Sequence, residues 1–217
     1  MSRENFLVKT YNKNCKACPR LAKFLNASRE KYPDYHNLPV DSFGDVNARL
    51  LIVGLAPGMH GANASGRAFT GDHSGDMLFQ TLHQYGFASQ ARSLSTDDGM
   101  QLFNCRITNA VKCVPPQNKP VGAEINACNH FLRAEMQDLP TGSVILALGS
   151  IAHNAVLKAF DIKLAQYKFG HNTLHELPQG YYLLDTYHCS RYNVNTKRLT
   201  EEMFAAVFSR AKALIQD

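Results

Sequence analysis

Four largely apolar runs, set far apart along the chain, constrain its fold more than any other feature. They occupy residues 49–54, 102–108, 143–149 and 181–187. Apolar stretches without strict alternation suit strands buried on both faces, and spacings of about 40 to 55 residues leave room for a crossover helix each time. Helical patterns fill the gaps at 74–85, 121–136, 150–160 and 200–215. In the last, Met203, Val207, Ala211 and Leu214 recur at three- or four-residue spacing and make one apolar face. A parallel sheet covered by helices on both faces is therefore expected. With 217 residues and 45% hydrophobic content, one domain spanning 1–217 can bury its own core.

Each expected strand runs into a polar segment bearing Gly or Asn: 55–75, 109–119, 149–153 and 188–200. In open parallel sheets the working crevice lies at the carboxyl ends of the strands, so chemistry is expected in these four segments. Lys and Arg (23) outnumber Asp and Glu (18), a formal charge of +5. That excess suits a polyanionic partner without approaching the density of a histone-like binder. The opening residues Met1 to Asn5 carry no signal-peptide core, and no run approaches the roughly 18 apolar residues of a membrane span. A cytoplasmic, monomeric protein is expected, with no membrane partner.

Six cysteines in such a chain read as metal ligands or buried thiols rather than disulfides. Cys15 and Cys18 form a CxxC followed by Pro19, and Cys113 and Cys128 form a second, wider pair. Four thiolates suit either a structural zinc or an iron-sulfur cluster, and the long second spacing favours the cluster, since zinc knuckles usually repeat the short one. Cys105 falls inside an expected strand and reads as core, whereas Cys189 follows His188 and either lines a site or replaces a small apolar residue.

The segment Gly54-Leu55-Ala56-Pro57-Gly58-Met59-His60-Gly61-Ala62-Asn63, continued by Gly66-Arg67-Ala68-Phe69-Thr70-Gly71-Asp72, resembles the first motif of the family 5 (type B) uracil-DNA glycosylases. The stretch from His188 to Thr200 is similar to that family's second motif, and Thr108-Asn109-Ala110-Val111-Lys112-Cys113 to the segment between them. The resemblance covers Cys15 to Thr200. It implies a three-layer α/β/α sandwich around a four-stranded parallel sheet. It also implies a [4Fe-4S] cluster on Cys15, Cys18, Cys113 and Cys128. The implied activity is removal of uracil, and also of hypoxanthine, xanthine or oxidised pyrimidines, from DNA carrying deaminated or damaged bases.

Under that resemblance Phe69 stacks on an extruded base, Asn109 reads its edge, and His188 donates a hydrogen bond to the leaving base as charge grows on it. Ala56, Gly58 and His60 belong to the substrate-binding motif. Asn63, Arg67, Arg191, Lys197 and Arg198 are the expected DNA contacts, although each Arg or Lys alone also reads as a solvated charge. Ala56 stands where better-known relatives place a water-positioning aspartate, which leaves Asp72 as the nearest carboxylate. Plainer readings stand beside these: Phe69 as core, Asn109 as a turn cap, and Asp72 as a cap for the helix near Ser74. The chain departs from the family at Cys189, where proline is usual, and at Lys197, where glycine is usual. Rival readings are a non-catalytic iron-sulfur damage binder and a zinc-bearing hydrolase of free nucleotides.

Overall fold

The computed structural model describes residues 10–216. In chain order its elements are α1 (Pro19–Lys31), β1 (Phe43–Gly44), β2 (Leu50–Gly54), α2 (Ala62–Ser65), α3 (His73–Gln84), β3 (Cys105–Asn109), α4 (Gly122–Gln137), β4 (Val144–Leu148), α5 (Ser150–Ala159), β5 (Leu174–Glu176), β6 (Tyr182–Thr186), α6 (Arg191–Asn195) and α7 (Glu201–Gln216). One sheet holds all six strands in the order β1-β3-β2-β4-β6-β5. The four expected strands form its parallel centre. The expected count of four misses two short antiparallel edges, β1 against β3 and β5 against β6. At two and three residues, these edges are too short to print a pattern in sequence.

Alternation along each strand divides the core into two layers. Leu50, Ile52, Cys105, Ile107, Val144, Leu146 and Leu184 face α3 and α7, packing with Leu78, Leu82, Phe204 and Phe208. Leu51, Val53, Ile145, Ala147 and Leu183 face α4 and α5, packing with Leu132, Met136, Ala152 and Val156. A fully buried aliphatic side chain contributes about 1.5 to 3 kcal/mol, so either layer alone outweighs any single polar contact. Cys105 is fully buried, and burial pushes its thiol well above the usual range.

β3 breaks the apolar rule on one face. Arg106 and Thr108 point toward α4, where Thr108 Oγ1 donates to Glu135 at 2.8 Å and Lys112 pairs with the same carboxylate. Arg106 donates to the Glu135 carbonyl at 2.9 Å and to the Val46 carbonyl at 2.8 Å. Buried charges persist only when paired, and here the Glu135 carboxylate lies between Lys112 and Arg106, the Arg106 Nε at 3.8 Å from Glu135 Oε2. Among the described residues, no helix is long and apolar enough to cross a membrane.

Candidate active site

The carboxyl ends of β2, β3, β4 and β6 surround a cleft of about 470 Å³. β2 ends at Gly54, a position where nothing larger fits. A Cβ on Gly54 would lie 2.4 Å from Asn109 Oδ1 and 2.7 Å from two ring carbons of Phe69. Phe69 itself sits at φ 57°, a left-handed conformation that is costly for an aromatic residue and turns its ring into the cleft wall. The first turn of α3 packs on the Phe69 backbone so closely that only Gly75 is tolerated.

Asn109 is the last residue of β3, and its Oδ1 is buried with no hydrogen-bond partner among the described residues. His188 lies two residues past β6, and its Nδ1 is likewise buried and unpartnered. Burial lowers the His188 imidazole to about 4, so it is neutral near pH 7. Asn193 Nδ2 donates to the His188 carbonyl at 2.8 Å, and Gly149, just past β4, takes a φ of 94° beside the His188 Cβ. Buried polar atoms are normally satisfied, so two orphans on residues that line one cleft mark a site prepared for a ligand with complementary groups.

Asp72 lines the same cleft. Its Oδ1 accepts from Gly75 N at 2.9 Å and caps α3, while Oδ2 fills space left by Gly58 and Gly61. Burial raises its carboxyl above the usual range, against the opposing pull of the Gly75 and Ser74 amides. The cap and the cleft-facing carboxylate are thus one side chain with two oxygens.

The four expected ligand cysteines meet at a second place. Cys15, Cys18, Cys113 and Cys128 line a small cavity with Leu21, Val111 and Phe131. Arg20 holds the start of α1 to the start of α4 by a bidentate pair with Glu124, at 2.7 and 2.8 Å. Lys112 N donates to Cys128 Sγ at 3.3 Å. Burial first, and then Cys128, Cys15 and Cys18, push the Cys113 thiol up to about 12. Thiols that crowd one another this way become thiolates together only around a cation. Four soft sulfur donors converging on one cavity suit an iron-sulfur cluster or a structural zinc.

The family model for the Uracil DNA glycosylase superfamily matches residues 42–212. The chain belongs to that superfamily. It is 43% identical over 219 aligned positions to the type-5 uracil-DNA glycosylase of Thermus thermophilus, covering 99% of both chains. To the type-5 uracil-DNA glycosylase of Pyrobaculum aerophilum it is 41% identical over 204 positions, 92% of this chain and 88% of the relative. A type-4 uracil-DNA glycosylase of Thermotoga maritima is 32% identical over 141 positions, 64% of this chain and 59% of its own.

Against the superfamily motifs, the structure separates residues that adjoin in sequence. Ala56, Gly58, Phe69, Asp72, Asn109 and His188 share the cleft, with Arg198 at its edge. His60 does not; it is exposed on a neighbouring open groove, where Tyr35 Oη and His60 Nδ1 are 3.0 Å apart. Asn63 and Arg67, expected on DNA, are both buried. Asn63 Nδ2 donates to Asn37 Oδ1 at 3.0 Å. Arg67 pairs with Asp98 at 2.7 Å, donates to Ser93 Oγ and the Thr96 carbonyl, and lies 4.5 Å over the Phe43 ring. Burial opposes the Asp98 charge, but Arg67 and three backbone amides outweigh it and hold that carboxyl well below the usual range. Both residues therefore brace the motif loop instead of reaching outward. Arg191, Lys197 and Arg198 remain exposed, with Arg198 lying 4.6 Å over the Tyr187 ring.

Cys189, the departure from the family's proline, is buried and donates its thiol proton to the Ser74 carbonyl at 3.4 Å. It ties the His188 loop to α3 by a hydrogen bond where a proline ring would restrict the backbone. Phe169 and Tyr187 also line the cleft. Tyr187 was discoverable as the neighbour of His188. Phe169 carries no local signal.

Proposed function

We propose that this chain is a base-excision repair glycosylase that hydrolyses the N-glycosidic bond of uracil in DNA and leaves an abasic site. The observation that carries the proposal is the convergence of Phe69, Asn109 and His188 on one cleft, with Asn109 Oδ1 and His188 Nδ1 buried and unpartnered. A base inside a duplex cannot reach such a cleft, so the nucleotide leaves the stack and the Phe69 ring takes over its stacking, worth about 1 to 3 kcal/mol. Asn109 Oδ1 then accepts from the base N3–H, and its amide donates to the adjacent carbonyl.

As the C1′–N1 bond breaks, its electron pair leaves with the base and negative charge gathers on the base carbonyl. Neutral His188 meets that charge with an N–H donor, an interaction worth about 2.7 to 4 kcal/mol of barrier in comparable sites. The Asp72 carboxylate offsets the cationic sugar and orients the water that adds to C1′, whose proton passes to Asp72 or solvent. The exposed Arg191, Lys197 and Arg198 supply phosphate contacts. A cleft roomier than one pyrimidine ring supports hypoxanthine, xanthine and oxidised pyrimidines as further substrates. Cys15, Cys18, Cys113 and Cys128 would hold a [4Fe-4S] cluster, whose binding joins the segment before α1, the loop after β3 and α4.

The test is incubation of purified protein with oligonucleotides carrying uracil, hypoxanthine, xanthine or an oxidised pyrimidine, followed by alkaline cleavage at abasic sites. Excision of uracil is expected. Tight binding without any abasic product would replace the enzyme with a non-catalytic damage binder.

A further inference from the structure

A second buried network lies behind the cleft, and none of its members belongs to the motifs. Asp185, in β6, is wholly buried. Its Oδ1 accepts from His153 Nδ1 at 2.8 Å, and its Oδ2 from His175 Nε2 at 3.2 Å and Gly170 N at 3.4 Å. His153, in the first turn of α5, uses its other nitrogen on the Tyr167 carbonyl at 3.1 Å. His153, His175 and Asp185 bring their ligand atoms within 4.8 Å of one another, a grouping compatible with a metal. Each of those atoms already has a protein partner, so the group is a clamp as it stands.

The clamp grips one segment. Among the described residues, positions 167–170 are tied down by His153 on the Tyr167 carbonyl, by Asp185 on Gly170 N, by Thr173 N on the Gly170 carbonyl, and by Tyr167 Oη on the Glu176 carbonyl. Phe169 stands in the middle of that segment. Its ring meets the His153 ring edge-on at 5.8 Å and leans on Tyr187 at 6.1 Å, and it lines the cleft. Just beyond it, His171 stacks on Tyr187 at 5.1 Å and its Nδ1 accepts from Tyr187 N at 3.4 Å. Asp185 is also three residues before His188 on the same strand end. One buried carboxylate thus sets both an aromatic wall and the strand that delivers His188.

We propose that Phe169 is a second aromatic wall of the base slot and that His153 and Asp185 are positioning residues that hold it there. The inference rests on the glycosylase reading of the cleft. It predicts energetic coupling across residues that share no DNA contact, because a wall is useful only where its support places it.

The experiment is a double-mutant cycle on the intact protein, with KM and kcat for a uracil oligonucleotide measured separately. Phe169→Ala is expected to raise KM at least roughly fivefold, the low end for one base–aromatic contact. His153→Ala is expected to raise KM by a similar factor, and the double variant by no more than either single one. His153→Gln, which keeps a side-chain N–H donor, is expected to recover part of the loss. If His153→Ala fails to fold, His175→Ala, the least buried member of the cluster, takes its place in the cycle. Independent multiplication of the two effects in folded protein, or an unchanged KM in Phe169→Ala, overturns the inference. In that event uracil excision by the wild type still stands, whereas a wild type without excision removes the glycosylase reading itself.

Discussion

The imidazole of His188 lies against the ring of Phe69, with centroids 6.2 Å apart and planes 28° from parallel. Residues 119 positions apart in sequence thereby share one face of the cleft, one suited to stacking and the other to polar contact. Removing the polar member while keeping the stack separates the two contributions. His188→Ala is expected to lower kcat for uracil excision by about 10² to 10³, the usual loss for one preorganised donor. Iron content should not change, because His188 is not among the residues around the cysteine cavity. Unchanged excision of every base tested would remove His188 from the chemistry.

Gly54 gives a test that alters no polar group. An alanine there brings its Cβ within 2.4 Å of Asn109 Oδ1 and 2.7 Å of the Phe69 ring, so one or both must move. Overpacking of this kind costs about 1 to 3 kcal/mol. Gly54→Ala is expected to remain folded while losing most excision, with KM rising more than kcat falls. Wild-type kinetics in this variant would mean that neither Asn109 nor Phe69 contacts the base.

Asp72 carries two roles on two oxygens, and an isosteric change divides them. Asparagine caps helices about as well as aspartate, so Asp72→Asn should keep the α3 cap and melt within a few degrees of the wild type. Its excision rate should nonetheless fall about a hundredfold, because the amide neither takes a proton nor offsets a cationic sugar. The ionised carboxylate is the active form, and burial raises its titration above the usual carboxylate range. Wild-type activity should therefore decline as pH falls through that raised titration, and the variant should lack that limb. A fully active Asp72→Asn leaves only the cap.

How much of this could be read from the sequence follows from the range of the interactions involved. The four central strands and α3, α4, α5 and α7 were legible because their patterns are local and repeat over five or more residues. α1 was not foreseen, since only Leu21, Leu25 and Ser28 of its thirteen residues are buried and its apolar stripe is thin. Phe69, Asn109 and His188 were marked by motifs at strand ends, where the sheet itself brings them together. Arg67 was misplaced on DNA because its fate depends on Asp98, thirty-one residues away, and no local pattern announces that pair. Phe169 was invisible for the same reason, as its position is set by side chains of α5 and β6.

The cysteine site makes a prediction about folding. Cys113 links the end of β3 to the cavity that Cys15 and Cys18 close from the other side. Metal-binding free energy is spent largely on holding such segments together. Cys113→Ala is expected to give poorly soluble protein with little iron and sulfide, and its visible absorbance should be lost. A soluble variant carrying full iron would take Cys113 out of the ligand set.

The lowered His188 titration also fixes a direction for stability against pH. The free imidazole titrates near 6.5, and the buried one near about 4. Between those values the unfolded chain binds a proton that the folded chain refuses, so stability falls as pH drops through this window. Each unit of such a shift corresponds to about 1.4 kcal/mol, which caps the loss at about 3 kcal/mol because part of the ring faces the solvent-accessible cleft. Above pH 6.5 the contribution is complete, and below pH 4 it changes no further. His188→Gln has no proton to gain, so its melting temperature should drop several degrees less than the wild type's between pH 7 and pH 4.5. Parallel melting curves across that range would mean that His188 titrates alike in the folded and unfolded chains, and its neutral state could no longer be assigned to burial.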